Sequence, residues 1–135
     1  MPAYAVTTLE QIPRLGEGDV DWRPIQHYFQ LTAFGINTYR AAAAGVELIE
    51  EHDEIGGRHE EVYVVLDGAV TFTVAGETFR CTKGGVVVVK DPAVRRQAVA
   101  ETADALVLAV GNREADRFES TWNPRHFEAA PTYDG

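Results

Sequence analysis

Two histidines and several carboxylates fall close together near the middle of the chain. Residues 47–61 contain His52, His59 and seven acidic residues against one base, Arg58. Imidazole and carboxylate groups bind divalent transition metals, and they are also side chains that often move protons in catalysis. An acid-rich stretch is equally typical of a solvated surface loop, so composition alone leaves both interpretations open.

The spacing of these residues predicts which of them share a face. Side chains two residues apart on a β-strand point the same way. His59, Glu61 and Tyr63 therefore share one face of a strand, and Glu50 and His52 share one face of another. If the two faces converge, the side chains that would bind a metal ion are His52, His59, Glu61 and Glu50.

Strands are the elements that would position these side chains. From residue 28 onwards, short β-branched and apolar runs alternate with Gly, Asp and Asn, which is typical of short β-strands joined by turns. Strands are predicted at 28–35, 36–42, 45–51, 60–66, 69–75, 77–81, 86–89, 95–100 and 105–110. The pair Asp67-Gly68 favours a tight hairpin. The pattern predicts an all-β fold, a small barrel or two-sheet roll that is filled or holds one small ligand.

The 135 residues are predicted to form one domain in three segments. Residues 1–24, with three prolines, are interpreted as an arm that lies over the core. Residues 25–112 form the barrel, and residues 113–135 are expected to pack on it as irregular chain.

Charge and hydropathy exclude several classes of partner. The net charge of −9 argues against nucleic acid and anionic membranes, which need a basic face. No apolar run reaches the length of a membrane helix, and the N-terminus lacks the pattern of a signal peptide. The one cysteine, Cys81, has no partner for an internal disulfide. We therefore expect a cytoplasmic protein without nucleic-acid or membrane partners.

The sequence from about residue 40 to 110 resembles the cupin superfamily. Glu61, six residues and Gly68 match the end of the first cupin motif. Gly76, five residues and Thr82-Lys83-Gly84 match the second motif, with threonine in place of the usual proline. The segments 59–68 (HEEVYVVLDG) and 91–96 (DPAVRR) are similar to small single-domain bacterial cupins.

This resemblance implies a double-stranded β-helix, or jelly-roll barrel, with Glu61 pointing inward. It also implies a small-molecule pocket at the barrel mouth, a homodimer, and a cofactor that is one divalent transition metal: Fe, Mn, Zn or Ni. The two histidines of the first motif would fall on Glu54 and Gly56, or on Ile55 and Gly57. The last motif histidine would fall on Arg95, whose permanent charge repels a metal ion. A metal-free pocket therefore remains the alternative.

Two functions follow from this interpretation. The first is an enzyme of the dioxygenase or isomerase type that acts on a small polar substrate, with His59 and Glu61 catalytic and Tyr63 and Arg95 binding the substrate. The second is a non-catalytic binding or sensing module in which Arg95 anchors an anion. Arg95 could instead pair with Glu61 and only neutralise a buried acid.

Overall fold

Antiparallel β-structure accounts for most of the chain. A computed structural model describes residues 2–135 and contains nine strands and three short helices in that range. The strands are β1 (Val20–Arg23), β2 (Gly35–Ala41), β3 (Glu47–His52), β4 (His59–Asp67), β5 (Ala69–Val74), β6 (Glu77–Thr82), β7 (Val86–Val89), β8 (Arg96–Ala100) and β9 (Leu106–Arg113). The helices are α1 (Ile25–Tyr28) and two 3-10 turns, Leu9–Gln11 and Pro124–His126.

The strands form two sheets that face each other. The five-stranded sheet has the order β1-β2-β9-β4-β7, and the four-stranded sheet has the order β3-β8-β5-β6. Neighbouring strands pair antiparallel throughout. The predicted all-β class is confirmed.

The core lies between the sheets because alternate residues of the strands are apolar and point inward. Tyr63 and Val65 of β4 meet Val70 and Phe72 of β5 there, all almost fully buried. The rings of Tyr63 and Phe72 lie 5.8 Å apart between centroids. This packing fixes the inward face of β4, the strand that carries Glu61.

Two predictions about local structure are wrong. Residues 28–35 do not form a strand: α1 ends at Tyr28, and irregular chain leads to β2. Asp67-Gly68 does not close a hairpin, because β4 and β5 belong to different sheets. Gly68, with φ of +69°, turns the chain from one sheet to the other. A Cβ on Gly68 would lie 2.9 Å from the Ala105 Cα.

The terminal segments behave differently from each other. Within the N-terminal segment, β1 extends the five-stranded sheet along β2, and Ile12 is buried. Every residue of the tail 113–135 is exposed, and its packing on the barrel stays a prediction. Nothing on the barrel surface covers its apolar side chains Phe118, Trp122 and Tyr133. In the described part of the chain, no helix has the length and apolarity needed to cross a membrane.

Candidate functional site

Glu61 lies at the centre of the candidate site. Its Oε1 atom accepts a hydrogen bond from the Tyr63 hydroxyl at 2.6 Å and another from Nη1 of Arg96 at 2.8 Å. The alternation of β4 brings Glu61 and Tyr63 to the same inward face, as predicted from their spacing. Both bonds end on one oxygen. Glu61 also lines a cavity, so its carboxyl group contacts both the buried Tyr63 and Arg96 side chains and the space of that cavity.

The inward arginine is Arg96 and not Arg95. The Arg96 side chain has no exposed surface, whereas that of Arg95 is 55% exposed and pairs with Glu51 and Asp53 at the surface. Arg96 faces inward with Ala98 and Ala100, which alternate along β8. Arg95 therefore lies at the surface, and the pairing with Glu61 considered for it is not made. A pairing of Glu61 with an arginine does occur, but through the next residue along the chain.

Glu54 connects the two histidines. Its Oε1 lies 3.1 Å from Nε2 of His52, and its Oε2 lies 3.2 Å from Nδ1 of His59. Both histidines are partly exposed, while Glu54 is mostly buried. The sequence prediction did not include Glu54. The available signal was its position seven residues before Glu61, where the cupin motif has its first histidine.

Glu50 does not join this group. Its side chain is exposed, and it contacts His52 only through its backbone carbonyl, 2.7 Å from Nδ1. The cause is an irregularity in β3, where the register with β8 shifts between Ile49 and His52. A register shift changes which residues share a face, so the regular alternation assumed for Glu50 and His52 does not hold.

Two cavities flank the site. The first has a volume of about 710 Å³, and Tyr39, Glu54, His59 and Glu61 line it. Its wall also carries Asn112 and other polar groups, which suit a small polar ligand. The second, of about 510 Å³, lies under the N-terminal segment between Trp22 and β3, and Tyr39 and His52 line it.

The environment raises the pKa of several groups. Burial raises the pKa of Glu61 above its ordinary value, and the nearby Glu54 carboxylate adds to this, while Tyr63 and Arg96 act in the opposite direction. Burial, with Glu61 and Glu54 nearby, raises the pKa of Tyr39 to about 12. Burial and the Glu61 carboxylate also raise the pKa of Tyr63. Both phenols are therefore neutral hydrogen-bond donors at neutral pH.

Three side chains form a group that could hold a metal ion. The ligand atoms of His52, Glu54 and Glu61 lie within 4.8 Å of one another. This set differs from the predicted one, because Glu54 enters it while His59 and Glu50 do not. One imidazole and two carboxylates are suitable ligand types for a divalent transition metal.

The guanidinium of Arg96 makes this group a poor fit for a metal. Its Nη1 atom lies 2.8 Å from Oε1 of Glu61 and 4.0 Å from Oε1 of Glu54, among the same carboxylates that would bind the ion. Two like charges 4 Å apart repel by about 4 kcal/mol at the effective dielectric of a protein site. The two carboxylates of this group suit a positively charged neighbour, and the Arg96 guanidinium already provides that charge.

Comparisons with known proteins identify the fold. No protein-family model matches the sequence, and a search of curated proteins finds no relative. Among solved structures, a cupin protein from Bacteroides fragilis superposes with a TM-score of 0.68 at 20% identity, covering 90% of this chain and 93% of that one. The chain has the fold of the cupin proteins, as the sequence resemblance implied.

Two further structures share this fold and carry functional names. A cupin-superfamily sugar phosphate isomerase from Silicibacter pomeroyi superposes with a TM-score of 0.64 at 20% identity, covering 81% of this chain and 76% of that one. A putative sugar phosphate isomerase from Acidithiobacillus ferrooxidans gives 0.60 at 21% identity. The match covers 70% of this chain and 59% of that protein. At these identities the likeness concerns the fold.

Proposed function

We propose that this protein is a small-molecule enzyme of the isomerase type, which moves a proton between carbon atoms of a small polar carbonyl compound. The observation that carries this proposal is Glu61: a carboxyl group with a raised pKa, held by two hydrogen bonds on Oε1 and lining a cavity of about 710 Å³. A general base works best when its pKa is near the working pH, and burial moves Glu61 in that direction.

The reaction would proceed in two balanced steps. The Glu61 carboxylate removes a proton from the hydroxyl-bearing carbon next to the carbonyl group. The electron pair of the C–H bond forms a carbon–carbon double bond, and the π electrons of the carbonyl group move onto its oxygen, which gives an enediolate. The hydroxyl proton then passes to this oxygen, the hydroxyl-bearing carbon becomes the new carbonyl group, and the former carbonyl carbon takes a proton from the Glu61 carboxyl group. No oxidant or reductant is required because the substrate regains as many protons as it loses, and the proton held on Glu61 can exchange with solvent before it is returned.

Neighbouring side chains support these steps. Tyr39 and His59 line the same cavity and carry hydrogen-bond donors for the developing oxygen anion. Tyr63 and Arg96 hold Oε1 of Glu61 in position, which leaves Oε2 for the substrate. Among residues 2–135 no hydrogen bond to Oε2 is made, and Gly111 leaves space beside it, since a Cβ there would lie 3.5 Å from this atom.

Proton exchange with solvent tests the proposal. The protein is incubated in D₂O with a panel of hydroxyaldehydes, hydroxyketones and sugar phosphates, and deuterium incorporation next to the carbonyl is followed by NMR. Sugar phosphates belong in the panel because two proteins of the same fold bear that name. We expect incorporation that Glu61→Gln slows by about 10²–10⁴-fold.

The matched control is Glu60→Gln. Glu60 is the adjacent residue of β4 and is exposed, so Glu60→Gln removes the same charge outside the barrel. This variant should exchange deuterium at the wild-type rate. Equal rates for Glu61→Gln and the wild type would contradict the proposal. Saturable binding of panel members without any exchange would support the second candidate, a ligand-binding module.

A further inference from the structure

A buried arginine occupies the position where the carboxylates of the site converge. Arg96 begins β8, and its partner residues are His52 on β3 and Val74 on β5. Its side chain is fully buried, and Nε donates to the Val94 carbonyl at 3.0 Å. Nη1 then lies 2.8 Å from Glu61 and 4.0 Å from Glu54. The guanidinium is thus fixed from two sides and is not a mobile surface charge.

The charges of this group are already balanced in part. Glu54 and Glu61 bring two carboxylates, and Arg96 brings one permanent positive charge, since a guanidinium does not lose its proton in proteins. A metal ion bound by His52, Glu54 and Glu61 would need lone pairs of the same two carboxylates. It would also lie a few ångströms from a cation that cannot move away or become neutral.

Arg96 has an unused hydrogen-bond donor, which favours binding of an oxygen atom over binding of a cation. Its Nη2 atom is buried and has no hydrogen-bond partner among the described residues. A buried N–H group without an acceptor is costly, so such atoms are normally satisfied by an ordered water or by a ligand. The site therefore offers a free donor next to its carboxylates, which a metal ion would not satisfy.

We propose that Arg96 is the resident cation of this site and prevents a divalent metal ion from binding to His52, Glu54 and Glu61. The site then works as a metal-free pocket within a fold whose sequence resemblance implies a metal. This inference rests on the proposed site. It assigns to Arg96 a role in selecting between metal-dependent and metal-independent chemistry, which the sequence prediction did not contain.

Metal titration without substrate tests this role. Wild type, Arg96→Gln and Arg96→His are treated with chelator, and binding of Zn²⁺ and Mn²⁺ is measured by calorimetry and by metal analysis after dialysis. We expect no stoichiometric metal in the wild type. We expect one equivalent in both variants, bound at least ~10-fold more tightly, because the repulsion is removed. In Arg96→His the new imidazole also lies beside His52.

Matched variants separate the charge of Arg96 from general effects. Arg95→Gln makes the same change in net charge at the surface and should bind metal as weakly as the wild type. Arg96→Lys keeps the positive charge and should do the same. Adding His52→Ala to Arg96→Gln should abolish the gained binding, which places the metal at this group.

Two results would overturn the inference. One is stoichiometric metal in the wild type that is lost in His52→Ala. The other is a folded Arg96→Gln that binds metal no better than the wild type. If neither Arg96→Gln nor Arg96→His gives a native near-ultraviolet circular dichroism spectrum, the wild type and His52→Ala decide the question by the first criterion. Metal binding is read without substrate, so a failure here leaves the proton-exchange test of Glu61 unaffected.

Discussion

Nη1 of Arg96 lies 2.8 Å from Oε1 of Glu61, and this ion pair joins the two sheets of the barrel. Arg96 belongs to β8 of the four-stranded sheet, and Glu61 belongs to β4 of the five-stranded sheet. Tyr63 donates a further hydrogen bond to the same oxygen. A polar network inside an otherwise apolar core restricts how the sheets can pack, because each member would be costly without its partners.

Adjacent arginines should differ strongly in their contribution to stability. Arg96→Ala leaves Glu61 buried without its cation and should lower the free energy of unfolding by about 3–5 kcal/mol at pH 8. Arg95→Ala breaks only exposed pairs with Glu51 and Asp53 and should change it by less than about 1 kcal/mol. Urea denaturation of both variants measures the difference. Similar losses for the two would contradict the assignment of Arg96 as the buried arginine.

The stability of the protein should depend on pH through Glu61. Because its pKa is raised above the ordinary 4.5, the folded state keeps this proton at a pH where the unfolded chain has released it. The free energy of unfolding contributed by Glu61 therefore increases as pH falls through the raised pKa, and it levels off below 4.5. The difference in free energy of unfolding between wild type and Glu61→Gln should show that slope across this pH range. The difference between wild type and Glu60→Gln should not. A flat difference, or one of opposite sign, would be inconsistent with a raised pKa.

Two neighbours should move the pKa of Glu61 in opposite directions. The Tyr63 hydrogen bond lowers it, so Tyr63→Phe should raise the pKa further and cost about 1–2 kcal/mol of stability. The Glu54 carboxylate raises it, so Glu54→Gln should lower the pKa. Titration of the Glu61 carboxyl carbon by NMR measures both. Shifts of the same sign would show that these side chains act on Glu61 through a change of structure.

A homodimer remains a prediction. Val86 and Val88 are each 58% exposed on β7, an edge strand of the five-stranded sheet, and pair with Val64 and Val62 of β4. An exposed apolar edge of this kind favours association with another chain. We expect a dimer in sedimentation equilibrium and a shift to monomer in Val88→Lys. Thr78→Lys, on the exposed edge strand β6, is the control and should leave the mass unchanged.

Much of the fold was predictable because strands are local patterns. Eight of the nine predicted strands correspond closely to β2–β9. The extra one, at 28–35, contains β-favouring residues but follows Pro24, after which the chain forms α1. The chain does turn at Gly68, yet the partner of each flanking strand depends on contacts far along the chain. Turn residues do not specify these contacts.

The sequence by itself determined the class of fold, the position of Glu61 and its shared face with Tyr63, because alternation along one strand is a local property. Only the tertiary structure decided which of two consecutive arginines enters the barrel, and that Glu54, not Glu50, reaches the site. Those outcomes depend on the register between strands from separate parts of the chain, including the shift in β3, and on which side chain can neutralise a buried carboxylate. The acid-rich stretch 47–61 thereby contributes two side chains to a buried ion-pair network, which its composition did not show.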